Sequence, residues 1–289
     1  MGSTCPCRRS RSRPRIRRAS MMSGEPRADG RSVTGARHLR AGMPCQDALC
    51  CDRRSGVLAL AIADGHGSSP RGGEGASLAV RVAVEWLLNF HQALEPALRG
   101  RLGAVRDLAL EPFGCQLVQE WTRRILEADG RGDEALRDHG TTLLAVLVAP
   151  EFVLYLQLGD GDILRVDAEG QVSRVLEKDP LHFADETASL CSPRAWRFIH
   201  VAVHPRPAEE TLLLLATDGY GNSYESDQVF ERMGPDYLAR VREQGFEAVL
   251  AELPEILAQV TTQGSGDDIT LGLVHLAPAV PDNTAARTS

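Results

Sequence analysis

The chain has 289 residues, 43% of them hydrophobic, enough for one large domain with a sizeable core. No apolar run approaches the ~20 residues that a membrane-spanning helix needs, so no membrane role is expected. The net charge of −7 is uneven: residues 1–20 hold seven arginines and no acid, while the remainder carries 25 basic against 39 acidic residues, which argues against nucleic-acid binding. The seven cysteines (Cys5, Cys7, Cys45, Cys50, Cys51, Cys115, Cys191) are odd in number and irregularly spaced. They form neither a disulfide framework nor a zinc site, and a reducing cytoplasm is the expected compartment.

Residues 1–30 read as a disordered Arg-rich arm; no apolar segment follows its positive charges, so it is not a secretory signal. The body spans 31–277, and the Ala-, Pro-, Asn- and Thr-rich residues 278–289 read as a disordered tail. Within this frame residues 23–31 read as linker, Ser32 to Ala36 as a short strand, and His38 to Asp47 as a turn-rich approach to a strand over Ala48–Cys51. A turn at Asp52–Gly56 leads into Val57–Ala63, seven apolar residues that look like a strand buried on both faces. That run stops at Asp64, and Gly65 and Gly67 bracket His66.

Helical periodicity follows from Glu74 to about Leu98, where Ala76, Val80, Ala83, Leu87 and Phe90 recur at three or four residues. A second helix is expected over about Cys115–Ala128, with Leu117, Trp121 and Ile125 on one stripe. Beyond a polar loop, Asp129–His139, the period switches to strands at Thr141–Ala149, Phe152–Leu158 and Ile163–Asp167. Glu177 to Arg194 is irregular and reads as a surface insertion. Strands are expected again at Arg197–Val203 and Thr211–Thr217. Helices follow at Asp227–Arg232, Pro235–Glu243 and Phe246–Thr261, the last kinked or interrupted by Pro254, before a final strand, Ile269–Leu276. This order predicts two packed sheets covered by helices.

The aspartates are the chemical signal. Asp64 ends a buried strand; Asp218 follows Leu212–Thr217 and precedes Gly219; Asp267 and Asp268 follow Gly264-Ser265-Gly266. Asp160 lies between two glycines, and Asp47 follows Cys45-Gln46. Each sits where an apolar run meets a turn. They are either independent turn residues or one cluster, and clustered carboxylates repel one another and need cations or raised pKa values. Mg²⁺ or Mn²⁺ would meet that need with oxygen ligands and retained waters.

Five segments in order carry a resemblance: Asp64-Gly65-His66-Gly67, Gly140-Thr141-Thr142, Leu158-Gly159-Asp160, Thr217-Asp218-Gly219 and Gly264-Ser265-Gly266-Asp267-Asp268-Ile269-Thr270. They resemble the metal-dependent (type 2C) Ser/Thr protein phosphatases over roughly residues 33–276. Cys45-Gln46-Asp47 is similar to a bacterial branch with a C-Q-D motif, and Ala184-Asp185-Glu186-Thr187 to that branch's N-E-T segment. The resemblance implies an α+β fold, a four-layer α-β-β-α sandwich of two antiparallel sheets flanked by helices.

It also implies a site. Asp64 would bridge two Mn²⁺ or Mg²⁺ ions, with the Gly65 carbonyl on one of them, Asp218 and Asp267 on the other, and Asp47 close by. The cations would acidify a shared water into a hydroxide nucleophile, and His66 would protonate the departing Ser or Thr oxygen. Two positions depart from the family: Gln46 stands where a Glu is common, and Gly42 where a phosphate-binding Arg is common. Arg37, His38 and Arg40 are the candidates to reach the phosphate instead, and Asp138 is the candidate for a third, weaker metal. The implied partners are a phosphorylated protein and a Ser/Thr kinase that supplies it. An inactive regulatory relative and a small-molecule phosphomonoesterase are the alternatives.

Overall fold

The computed structural model of the chain describes residues 24–176 and 188–278. Strand β1 (Arg27–Val33) leads into a six-residue helix, α1 (Ala36–Ala41), and then into the hairpin of β2 (Asp47–Arg54) and β3 (Val57–Asp64). Helices α2 (Gly72–Ala93), α3 (Pro96–Arg99), α4 (Leu102–Leu108), α5 (Gly114–Asp129) and α6 (Asp133–Asp138) follow, with a π-helical turn at Ala109–Phe113 around Pro112. Next come β4 (Leu143–Val148), β5 (Phe152–Leu158), β6 (Asp162–Val166) and β7 (Val172–Arg174). A 3₁₀ turn at Ala195–Phe198 precedes β8 (His200–Pro205) and β9 (Thr211–Ala216). The last elements are α7 (Asp218–Gly221), α8 (Asp227–Glu231), α9 (Met233–Gln244), α10 (Phe246–Gln263) and β10 (Ile269–Leu276).

The strands form two five-stranded antiparallel sheets, ordered β2-β3-β4-β5-β8 and β1-β10-β9-β6-β7. Strand alternation sorts the apolar runs into layers. On β3, Leu58, Leu60 and Ile62 meet Leu213, Leu215 and Val274 of the other sheet. Its opposite face, Val57, Ala59, Ala61 and Ala63, packs under α2 and α5. On β9, Leu212, Leu214 and Ala216 face α9 and α10. The result is the expected four-layer α-β-β-α sandwich, with three apolar seams between its layers. No helix among the described residues is long and apolar enough to cross a membrane.

Several boundaries move. Arg27–Val33, read as mostly linker, is a full edge strand whose partner is β10, with Arg27 opposite His275 and Val33 opposite Ile269. The body therefore starts before residue 31. The turn-rich stretch after Ala36 begins with α1, and the polar loop Asp129–His139 contains α6. Helix α2 stops at Ala93 rather than running to Leu98. Pro254 does not interrupt α10, because buried Leu253 and Leu257 on either side hold the helix across the missing hydrogen bond. Residues 279–289 of the tail, residues 1–23 of the arm, and residues 177–187 with the Ala184–Thr187 segment lie outside the described residues.

Trp121 is fully buried under α2, and its indole N–H donates to the Gly75 carbonyl at 3.1 Å. Trp121→Phe keeps most of the apolar surface and loses that bond. It should lower unfolding stability by about 1–3 kcal/mol in urea titration, and an unchanged midpoint would show that the bond carries nothing.

Candidate active site

The site lies where β3 and β9 end and β2 and β10 begin. In the β2–β3 hairpin Asp47 sits directly opposite Asp64. Asp47 points between the sheets, where Thr217 Oγ1 donates to its Oδ2 at 2.8 Å, while Thr217 Oγ1 itself accepts from the Thr270 N–H at 2.9 Å. Asp64 is fixed through its main chain: the Thr141 hydroxyl donates to its carbonyl at 2.8 Å, and its N–H donates to Thr142 Oγ1 at 3.0 Å. Thr141 and Thr142 are thus positioning residues. The chain can turn at Gly65 because it has no side chain; a Cβ there would overlap the Gly72 main chain at the start of α2.

Asp218 opens α7, and its Oδ2 accepts from Asn222 Nδ2 at 3.0 Å. Asp267 is half-buried, lies against Gly219 and accepts the Asp268 N–H at 3.0 Å. Asp268 has a separate task. Its carboxylate accepts from the Gly35 N–H and the Gln46 N–H, both at 2.6 Å, and lies 2.9 Å from His38 Nδ1. It is 3% exposed. The sequence motif contained Asp268 without giving it this role; two adjacent acids before a strand were the available signal.

Crowding shapes the electrostatics. Burial pushes Asp47 up to about 7, with Asp268 acting in the same direction and the Thr217 and Thr270 hydroxyls against it. Burial also raises Asp64 well above the usual carboxylate range, reinforced by Asp47 and Asp218. Asp218 rises to about 6 through burial and the charge of Asp160. Burial lowers His66 below an ordinary imidazole, and Asp160 opposes that. The charge of Asp160 thus reaches both Asp218 and His66, and Asp160 lines a small cleft of ≈ 200 Å³ with Asp162, Asp218 and Asn222.

Hard divalent cations fit these residues. Asp47 Oδ1 is buried without a hydrogen-bond partner among the described residues, and the carboxylates of Asp64 and Asp218 beside it offer oxygen donors. Among the described residues no three His, Cys, Asp or Glu side chains close into a ready-made cage. An open set of carboxylates matches ions that take one or two of them and keep several waters.

The other candidates separate. His38 is tied to Asp268, and the stem of Arg37 lies against Gly266, next to Asp267. Arg40 turns back to the Ala36 carbonyl at 3.0 Å and is exposed. Asp138 pairs with Arg131 at 2.8 Å, so its carboxylate is already engaged. Gln46 lines a different cleft, of ≈ 620 Å³, with Arg71, Glu74 and His139, and its Oε1 is buried there without a partner among the described residues.

Gly42 has a structural reason to be glycine. It caps α1 with φ 67° and ψ 24°, its N–H reaching the Leu39 carbonyl at 3.2 Å and the Met43 N–H reaching that of His38 at 2.9 Å. That left-handed cap favours glycine and strains any larger residue.

A family model described as Protein phosphatase 2C matches residues 34–258. Serine/threonine-protein phosphatase 3 of Escherichia coli (strain K12) is 31% identical over 138 residues, 46% of this chain and 50% of that protein. The match thus spans about half the length of the curated relative. The catalytic domain of the serine threonine protein phosphatase PstP, solved in complex with two manganese ions, superposes with a TM-score of 0.53 at 17% identity, covering 87% of this chain and 98% of that one. A serine/threonine phosphatase of S. agalactiae gives 0.55 at 19% identity, over 88% and 100%. A C. elegans sex determining protein gives 0.64 at 16% identity, over 90% and 67%. At these identities the structural likeness is one of fold.

The raised carboxylates set a pH test. With folded pKa values above the ordinary 3.8, Asp47 and Asp218 favour the metal-free fold when protonated, so that contribution is lost as pH rises towards 6–7. In EDTA the melting temperature should fall between about pH 4 and about pH 7. The rise produced by excess Mn²⁺ should grow over the same window, as protons stop competing for the carboxylates. A rise independent of pH would place the metal elsewhere.

Proposed function

The chain belongs to the protein phosphatase 2C family, and we propose that it is a metal-dependent phosphatase that hydrolyses phosphoserine and phosphothreonine on proteins. The observation that carries this reading is the convergence of Asp47, Asp64 and Asp218 from three separate segments, with Asp47 Oδ1 left unpartnered in a buried setting. Asp64, the Gly65 carbonyl, Asp218 and Asp267 would hold two Mn²⁺ or Mg²⁺ ions, with Asp47 beside them. Bound there, the ions supply a water acidic enough to attack phosphorus at neutral pH and a positive field for the phosphoryl oxygens.

The chain's own residues do the rest. Thr141 and Thr142 fix the main chain of Asp64, which holds the carboxylate that would bind the ions in place. Thr217 holds Asp47 Oδ2 and leaves Oδ1 facing the site. His66, at the same loop, donates a proton to the departing seryl or threonyl oxygen. Asp160 favours the protonated imidazole that this step needs, against the effect of burial. Arg37, lying on Gly266 beside Asp267, takes the phosphoryl oxygens in place of the side chain that Gly42 lacks. A kinase-type phosphoryl transfer to Ser or Thr must supply the substrate.

Two measurements test this. With Mn²⁺ the protein should hydrolyse p-nitrophenyl phosphate and a phosphothreonine peptide; EDTA should abolish both, and Asp64→Asn should cost more than about a hundredfold in turnover without unfolding. Wild-type turnover in Asp64→Asn at saturating Mn²⁺ would sink the metal assignment. His66→Gln should cost about 10²–10⁴-fold on the peptide, whose alkoxide leaving group needs a proton, and clearly less on the aryl ester. Equal losses would make His66 a positioning residue instead.

A further inference from the structure

Helix α1 buries none of its six residues. A helix this short is not stable on propensity alone, and here polar tethers at its base hold it in place. The Gly35 N–H and His38 reach Asp268, the Ala36 N–H reaches Thr261 Oγ1 at 3.1 Å, and the Arg37 N–H reaches the Gly266 carbonyl at 2.8 Å. Because no apolar contact is needed to hold α1, its apolar side chains are left outside. Leu39 is 66% exposed and Met43, just past the cap, 40%. They are two of five large hydrophobic residues exposed among the described residues, and they fall within five positions. Single exposed leucines are common; two together at the lip of a site, flanked by cations, are a binding feature.

The charges agree. Arg37 and Arg40 have no carboxylate partner among the described residues, whereas Arg123, Arg124 and Arg131 on α5 and after it are each paired with acids. This occurs on a body whose acids outnumber its bases. The ridge also starts at the site itself. His38 shares Asp268 Oδ2 with the Gln46 N–H, one residue before Asp47, and the Arg37 stem lies beside Asp267.

We propose that α1 and its cap form a docking ridge that reads the residues beside the phosphorylated side chain, selecting phosphoprotein segments that carry acidic and apolar residues there. The proposal rests on the phosphatase reading of the adjoining site. Six helical residues span about 9 Å, which an extended segment covers with about three residues. With the phosphate at Arg37, an acidic neighbour meets Arg40, and an apolar one lies across Leu39 and Met43. The left-handed cap at Gly42 turns the chain back so that the Met43 N–H reaches the His38 carbonyl, one residue before Leu39.

The test uses the full chain with Mn²⁺ and two phosphothreonine peptides of equal length, one flanked by Asp and Leu, the other by Lys and Ser. Wild type should favour the first by about tenfold in kcat/KM, the effect of one or two good contacts. Leu39→Ser with Met43→Ser should erase most of that preference and leave p-nitrophenyl phosphate turnover and melting temperature unchanged. Arg40→Glu should shift the ratio towards the Lys-flanked peptide. Fluorescence anisotropy of the same peptides decides the docking claim even if nothing turns over. A binding preference that the variants lose supports the ridge, while absent turnover alone counts against the phosphatase reading. Equal use and binding of both peptides by wild type would overturn the proposal. So would parallel losses on all three substrates, or a wild-type dimer that the variants dissolve without changing peptide preference, which would make a second copy the occupant.

Discussion

A single buried carboxylate organises the site. Asp268 sits at the start of the last strand and takes two main-chain N–H groups and one imidazole nitrogen, from Gly35, Gln46 and His38. A buried carboxylate is costly unless every lone pair is used, and using them fixes whatever donates. The donors here belong to the end of β1, to α1 and to the loop that launches β2. Their positions determine where Asp47 points and where Arg37 lies. Thr217 and Thr270 extend the same logic across β9 and β10 to the side chain of Asp47. The clustered carboxylates are therefore placed by a second tier of hydrogen bonds that includes an acid of its own.

The packing beneath the site follows from side-chain size. β3 turns Val57 and three alanines towards the helices. Small residues there let α2 approach closely, and its first residues, Gly72 and Gly73, come against Gly65 and Gln46. A bulkier stripe would lift the helix away and open the loop that carries Asp64 and His66. The large residues of β3, Leu58, Leu60 and Ile62, fill the seam between the sheets instead, where thickness is wanted.

What could be read from the sequence was whatever left a periodic or compositional trace. β3, β5 and β10 are continuous apolar runs bounded by turns, and their limits in the structure differ little from those expected. The aspartates at strand ends were visible for the same reason. α1 left no trace because it buries nothing, so no apolar period marks it. β1 is polar and contains Gly30; only its pairing with β10 makes it a strand. Asp160 stood in the motif, but its closeness to Asp218 and His66 depends on how two sheets stack, which no local pattern encodes. Gly42 was legible as a glycine where the resemblance leads one to expect an arginine. The cause, a left-handed helix cap, was not.

The bonds to Asp268 join residues 222 to 233 positions apart, and β1, the first strand, pairs with β10, the last. Contacts of such long range form late, after the intervening chain has been ordered. While the protein is being made, the first half of the sandwich can leave the ribosome with Asp47 and Asp64 already opposite each other. Yet α1 has no anchor and Asp47 lacks Thr217 until the carboxyl-terminal strand emerges. A chain released early, or clipped before β10, would carry the loops of Asp47 and Asp64 without the bonds that position them. Competence at this site is thus a property acquired at the end of synthesis, which spares a cell the chemistry of half-made copies.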